Sequence, residues 1–147
     1  MKALHVVFQV GQTSYVLAAE HVQQMAVFEN ATVVPGAVDY VAGLMQVRGQ
    51  LVPVVDLRRR FGVVPSESAA HEARVIIVKH DARVVGLLAD RAREVLQLDE
   101  DQFEPPPGLV QEQASGFVQA VARHEGRLLL RIDFEKVIGK DAFDGNA

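Results

Sequence analysis

The 147-residue sequence predicts a mainly β protein made of two similar halves, and three observations carry that prediction. Valine occurs 25 times against 13 leucines, and β-branched residues suit a pleated, half-buried surface better than a helix. Several short apolar runs either alternate with polar residues or are bounded by glycine-containing turns, as strands and hairpins are. A pattern of glycine, aspartate and glycine recurs at a spacing of 77 residues. Apolar residues make up 49% and charged residues 23%, which supplies a core and argues against wholesale disorder.

Leu4–Val10 alternates with a period of two, the signature of a half-buried strand. Gly11-Gln12-Thr13-Ser14 is turn material, after which Tyr15-Val16-Leu17 resumes as a strand. His21–Val27 fits a short helix or a strand equally well. Val33-Val34-Pro35-Gly36 reads as a bend, and Val38–Ala42 as one helical turn before Gly43. The apolar runs Leu44–Val47 and Leu51–Val55, joined by Arg48-Gly49-Gln50, predict a tight hairpin whose glycine supplies positive φ. Pro53 cannot donate to a ladder, so its strand is expected at an edge or at a bulge. Asp56 then caps a short helix over Leu57–Phe61 that Gly62 stops. Residues 63–72 have the composition of a surface loop. Arg74–Lys79, Arg83–Ala89, Phe117–Arg123 and Leu128–Ile132 have strand character, with turns at Asp81-Ala82 and His124-Glu125-Gly126. Pro105-Pro106-Pro107 predicts a stiff extended piece, and residues 140–147 a frayed tail.

The repeat ties these elements together. Gly49, Leu51, Asp56 and Gly62 match Gly126, Leu128, Asp133 and Gly139 in one register held over fourteen positions. Both segments spell a hairpin glycine, an apolar strand, an aspartate cap, a short helix and a glycine stop. A weaker match, at a spacing of 70, pairs Leu17, Ala19 and Glu20 with Leu87, Ala89 and Asp90. The simplest reading is two small barrels or curled sheets, each too small to bury much surface alone and therefore packed on the other.

The available chemistry is sparse. Cysteine is absent, which excludes disulfides, thiolate metal sites and cysteine nucleophiles and is compatible with a reducing compartment. No two of His5, His21, His71, His80 and His124 have a metal-ligand spacing, and solvated histidine is their expected state. No serine lies in a nucleophile-elbow context, and no glycine motif cradles phosphate. Asp56 and Asp133 are occupied as caps, and Asp90 ends a strand, so no catalytic residue, cofactor or metal ligand is assigned. A net charge of −4 gives no long-range pull toward nucleic acid or an anionic membrane. No apolar run reaches a bilayer span, and no signal peptide is evident. Arg58-Arg59-Arg60 reads as a solvated helix face. Arg48, beside Gly49 at the hairpin tip, suits an interface anchor or an unengaged surface arginine equally well.

Four segments together resemble the CheW-type chemotaxis coupling family: VFQVGQTSYVLAAEHVQQM, VVPGAVDYVAGLMQVRGQLVPVVDLRRRFG, VIIVKHDARVVGLLADRAREVLQL and GRLLLRIDFEKVI. Tyr40–Gly62 carries most of the weight, with Gly43, Arg48, Gly49, Pro53, Asp56 and Leu57 in the family's register. The resemblance implies one domain over residues 1–147, built as two interleaved, SH3-like, five-stranded β-barrels. It implies a non-enzymatic cytoplasmic adaptor that bridges chemoreceptor cytoplasmic tips to the regulatory domain of a CheA-type histidine kinase. No nucleic acid, membrane insertion or cofactor is implied. Receptor helices would dock in the groove between the barrels, and the kinase on an exposed face of the first. Gln46, Val47, Arg48 and Gly49 would face the receptor, and residues 21–25, including Val22, Gln24 and Met25, would form a partner-contact stretch. The chain departs from the family in having Gln46 where asparagine is usual and Gln24 where a glutamate is usual. Two further readings follow from the same residues: a divergent paralogue that keeps receptor binding and has lost the kinase, and a small β-barrel ligand binder or enzyme.

Overall fold

The structure, a computed structural model, describes residues 2–63, 70–108 and 116–139. Eleven strands and two short α-helices follow one another among these residues: β1 (Lys2–Val10), β2 (Thr13–Ala18), β3 (Val22–Ala26), β4 (Val41–Val47), β5 (Gln50–Asp56), α1 (Leu57–Phe61), β6 (Arg74–His80), β7 (Arg83–Ala89), β8 (Arg91–Asp99), β9 (Phe103–Glu104), β10 (Val118–His124), β11 (Arg127–Ile132) and α2 (Phe134–Ile138). They form two sheets, ordered β8-β1-β2-β11-β10-β9 and β3-β6-β7-β5-β4. The mainly β class is as expected. The first sheet has a sixth strand, the two-residue β9, beyond the five anticipated.

The repeat is a repeat of geometry. Gly49 and Gly126 have φ of 79° and 80°, and the residues before them, Arg48 and Glu125, 51° and 52°. Positive φ at both central residues lets a two-residue turn follow the right-handed twist of its strands. Asp56 accepts from the Arg58 amide, and Asp133 from the Lys136 amide, so both aspartates cap their helices. The pairing register slips between Val41 and Gly43 and again, 77 residues on, between Val118 and Ala120. Val54 pairs in parallel with Gly86, and Arg131 with Val16. The spacings of 77 and 70 are thus one relation: β1, β2 and β3 correspond to β6, β7 and β8, and β4 and β5 to β10 and β11. Each half lends its opening hairpin to the other half's sheet.

That exchange explains the apolar runs. Val7 packs on Val16, Leu98 and Leu129, whereas its neighbour Phe8 packs in a seam with Leu17, Leu57, Ile76, Leu87 and Ile138. Along β6, Val75 and Ile77 join Met45, Val52 and Val54, whereas Ile76 and Val78 face the seam. A strand buried on both faces has no polar side to alternate with. Gly86 shows how tightly this face is filled: a Cβ there would lie 2.5 Å from Cγ1 of Val75 on the neighbouring strand.

Of the two readings open for residues 21–27, the structure takes the strand: a three-residue 3-10 turn (Ala19–His21) leads into β3. Several other expectations need correction. A turn closed by the Val41 amide on the Val38 carbonyl leads straight into β4. Pro53 is neither on an edge strand nor at the slipped register; β5 lies between β7 and β4, and the proline immediately precedes Val54, the first β7-paired residue. β8 had no counterpart in the sequence reading. Residues 64–69, 109–115 and 140–147, with most of the expected loop and the whole expected tail, lie outside the described residues.

Candidate partner-binding site

The β4–β5 hairpin presents two faces. Val47 turns inward to pack against the cluster of Met45, Val52 and Val54. Gln46 is exposed opposite Leu51, itself 64% exposed. Arg48 and Gly49 form the exposed tip, and Arg48 has no ion pair or hydrogen bond among the described residues. The outer face therefore combines one cation, one amide and a large apolar side chain, the mixture that an interface anchor uses. Leu51 is the residue that sequence reasoning overlooked. Its signal was present: it is out of phase with inward-facing Val52 and Val54 and adjoins the turn. The corresponding hairpin exposes Leu128 beside Glu125, so the two tips have opposite charges.

The second expected stretch lies elsewhere on the same sheet. β3 is an edge strand, and β4 is the edge at the other end of the hydrogen-bonded order. Val22 is half-buried against the seam. Gln24, opposite Ile77, is half-buried, and Met25, opposite Ile76, is exposed. Strand order does not make 46–49 and 22–25 neighbours. The chain leaving β3 folds back, however, and Thr32 and Leu44 exchange two backbone hydrogen bonds of 2.8 Å.

The arginine run is not a solvated face. Arg58 Nε donates to Asp90 Oδ1 at 2.6 Å, and Asp90 Oδ2 accepts from the Gly11 amide at 2.7 Å. Arg60 Nε and Nη2 donate to the Val137 and Lys136 carbonyls, and its guanidinium lies 4.0 Å from the Tyr40 ring centroid and 4.7 Å from that of Phe117. Only Arg59 is mostly exposed, near Asp56 and donating to the Asp39 carbonyl. The histidines are also more engaged than expected. His5 is buried, with Nδ1 3.1 Å from the Ala3 carbonyl and its ring against Phe103. Burial pushes its imidazole below the usual histidine range, and the Ala3 contact opposes that shift. His21 and His80 both pack on the Phe134 ring, with centroids 4.8 and 4.9 Å away.

A groove of about 450 Å³ runs between β1–β2, the 3-10 turn, β11 and α2; His5, His21, His80 and Phe134 line it, with Glu20, Glu100 and Glu135. Among the described residues no three groups cluster in a way that could hold a metal ion, and no helix is long and apolar enough to cross a membrane.

Residues 4–142 match the model of the CheW-like domain. The chain is similar to the chemotaxis protein CheW of Bacillus subtilis, at 31% identity over 93% of this chain and 87% of that protein. It is similar also to the chemotaxis protein CheW of Rhizobium meliloti, at 27% identity over 90% of this chain and 84% of that protein. Among solved structures, the scaffolding protein TtCheW from Thermoanaerobacter tengcongensis superposes with a TM-score of 0.86 and 28% identity, covering 95% of this chain and 89% of that one.

Proposed function

Because the chain belongs to the CheW-like domain family, we propose that it is a non-enzymatic cytoplasmic adaptor linking chemoreceptor signalling tips to a CheA-type histidine kinase. The observation that carries this reading is the family match over residues 4–142, supported by relatives named as chemotaxis and scaffolding proteins. The receptor-facing element in this reading is the outer face of the β4–β5 hairpin. Gln46, Arg48 and Gly49 would meet the receptor directly, and Val47 would hold the strand from inside. Leu51 joins them as the apolar part of the contact. Val22, Gln24 and Met25 form the second partner surface, at the β3 edge.

The test is direct binding of the purified chain to a receptor signalling-tip fragment and, separately, to the regulatory domain of a CheA-type kinase. Both are expected to bind, and failure of both overturns the reading. Arg48→Glu is expected to weaken receptor binding at least tenfold with an unchanged melting temperature, since an exposed turn residue contributes little to stability. Full receptor binding by that variant would remove Arg48 from the site. One observation favours a second reading: position 24 is an uncharged, half-buried glutamine. Receptor binding without kinase binding would identify a divergent paralogue.

A further inference from the structure

The two halves differ where repeat symmetry would make them alike. In one, Arg58 in the first turn of α1 reaches Asp90, the residue that follows β7, and the ion pair bridges helix and strand end. Both side chains are largely shielded, at 16% and 25% exposure. The register of the repeat makes Glu135 of α2 the counterpart of Arg58, and Glu20, just beyond β2, the counterpart of Asp90. Neither is a cation. Asp133 stands where Asp56 stands, and Phe134 where Leu57 stands. In place of a closed ion pair, Glu20 and Glu135 line an open groove of about 450 Å³ floored by Leu17, Ile132 and Phe134.

The charges leave a position for a cation. Glu135 takes a hydrogen bond from His80, and Glu20 has no partner among the described residues. The guanidinium that lines the groove, Arg131, is already paired through two nitrogens with Glu100. The acids alone would mean only a solvated rim. What makes them a site is that the molecule contains, in its other half, the same helix turn and strand end bridged by an arginine. A volume of this size is ordinary for a small-ligand pocket, and an apolar floor under carboxylates suits an arginine, whose stem packs while its planar head pairs with carboxylate oxygens.

We propose that this groove receives an arginine side chain from a partner polypeptide, which takes up between Glu20 and Glu135 the place that Arg58 holds in the other half. The site is separate from the β4–β5 hairpin and does not depend on the adaptor reading, because its test contains neither receptor nor kinase. The experiment titrates the isotopically labelled full chain with acetyl-Ala-Arg-Ala-amide and follows backbone amide shifts. Acetyl-Ala-citrulline-Ala-amide is the uncharged control of the same shape. Saturable shifts are expected at residues 19–21 and 133–135 at low-millimolar peptide, with the citrulline peptide at least tenfold weaker. Glu20→Gln, at an exposed position, is expected to weaken binding at least fivefold while the rest of the spectrum is preserved. Glu135→Arg supplies the missing cation from within and is expected to abolish the shifts. Equal binding of the two peptides, shifts elsewhere on the molecule, no saturation, or full binding by Glu20→Gln would each overturn the proposal.

Discussion

Arg60 reaches across from α1 to the last carbonyls of α2, and Tyr40 and Phe117, which occupy equivalent places in the two halves, flank its guanidinium. A charged donor on the orphan carbonyls at a helix end complements the helix dipole as well as forming the hydrogen bonds. Arg60→Ala is therefore expected to cost about 2 kcal/mol in urea unfolding, against less than about 0.5 kcal/mol for the exposed Arg59→Ala. Equal losses would refute the capping role. His5 makes the opposite case, a titratable group whose protonated form burial disfavours. Its folded-state pKa lies below its unfolded one, so the unfolded chain takes the proton first. Its contribution is complete above the ordinary histidine value of about 6.5 and is lost as pH falls through that value toward the lower folded one. The melting temperature of the natural chain should consequently drop more between pH 7.5 and 5 than that of His5→Phe, a difference read directly from paired thermal melts. None of these roles was visible in the sequence. Consecutive arginines look alike there, and both His5 and Arg60 depend on residues that only the tertiary fold brings near.

Local elements were far more legible. The hairpin at Gly49, the cap at Asp56 and the stop at Gly62 are set by residues within a few positions of one another, and all three occur where expected, Gly62 with φ of 72°. β8 was missed for a related reason. Its inward residues Leu96 and Leu98 alternate properly, but the register slip opposite Val7 and Phe8 puts Ala92 in the seam and Glu94 beside Arg127. A bulge breaks the period that identifies a strand, and the partner that orders β8 is β1, which belongs to the other half of the chain. Pro53 was misplaced because the rule concerns its missing N–H, which costs nothing just before the first residue paired with β7. Gly43 tests the element scale. A Cβ there would lie 2.5 Å from the Thr32 carbonyl oxygen, with φ at 149°, and would force apart the bridge that folds the β3–β4 connection onto the sheet. Gly43→Ala is expected to lose about 2 kcal/mol, whereas Gly49→Ala, with nothing within 4 Å, loses only about 1 kcal/mol, the cost of its left-handed φ. Urea unfolding of the two variants decides, and equal losses would mean that the bridge carries no strain-sensitive packing.

At the scale of the whole molecule, the exchanged hairpins make the two halves one structure. β1 and β2 complete a sheet whose other strands come from residues 91–132, and β6 and β7 complete one whose other strands come from residues 22–56. Near-symmetry raises the question whether each half could instead close on its own hairpin. Two buried residues oppose it. Val16 would have to stand where Gly86 stands, in a place where a Cβ lies 3.4 Å from Val54 Cγ2 and faces the position that His5 would take from Val75, whose own Cγ1 lies only 2.5 Å from such a Cβ. His5 would take the position of fully buried Val75 and put an imidazole among Met45, Val52, Val54 and Ile77, where its ring nitrogens would lack partners. The interleaving is therefore expected to be obligatory. The full chain should unfold in one transition, with circular dichroism and tyrosine fluorescence coinciding. Chains of residues 1–66 and 67–147 should each lack a cooperative transition and regain one when mixed in equal amounts. A cooperative transition in the first fragment alone would show that a half can close on itself and that the exchange is a preference of packing and not a requirement of the fold.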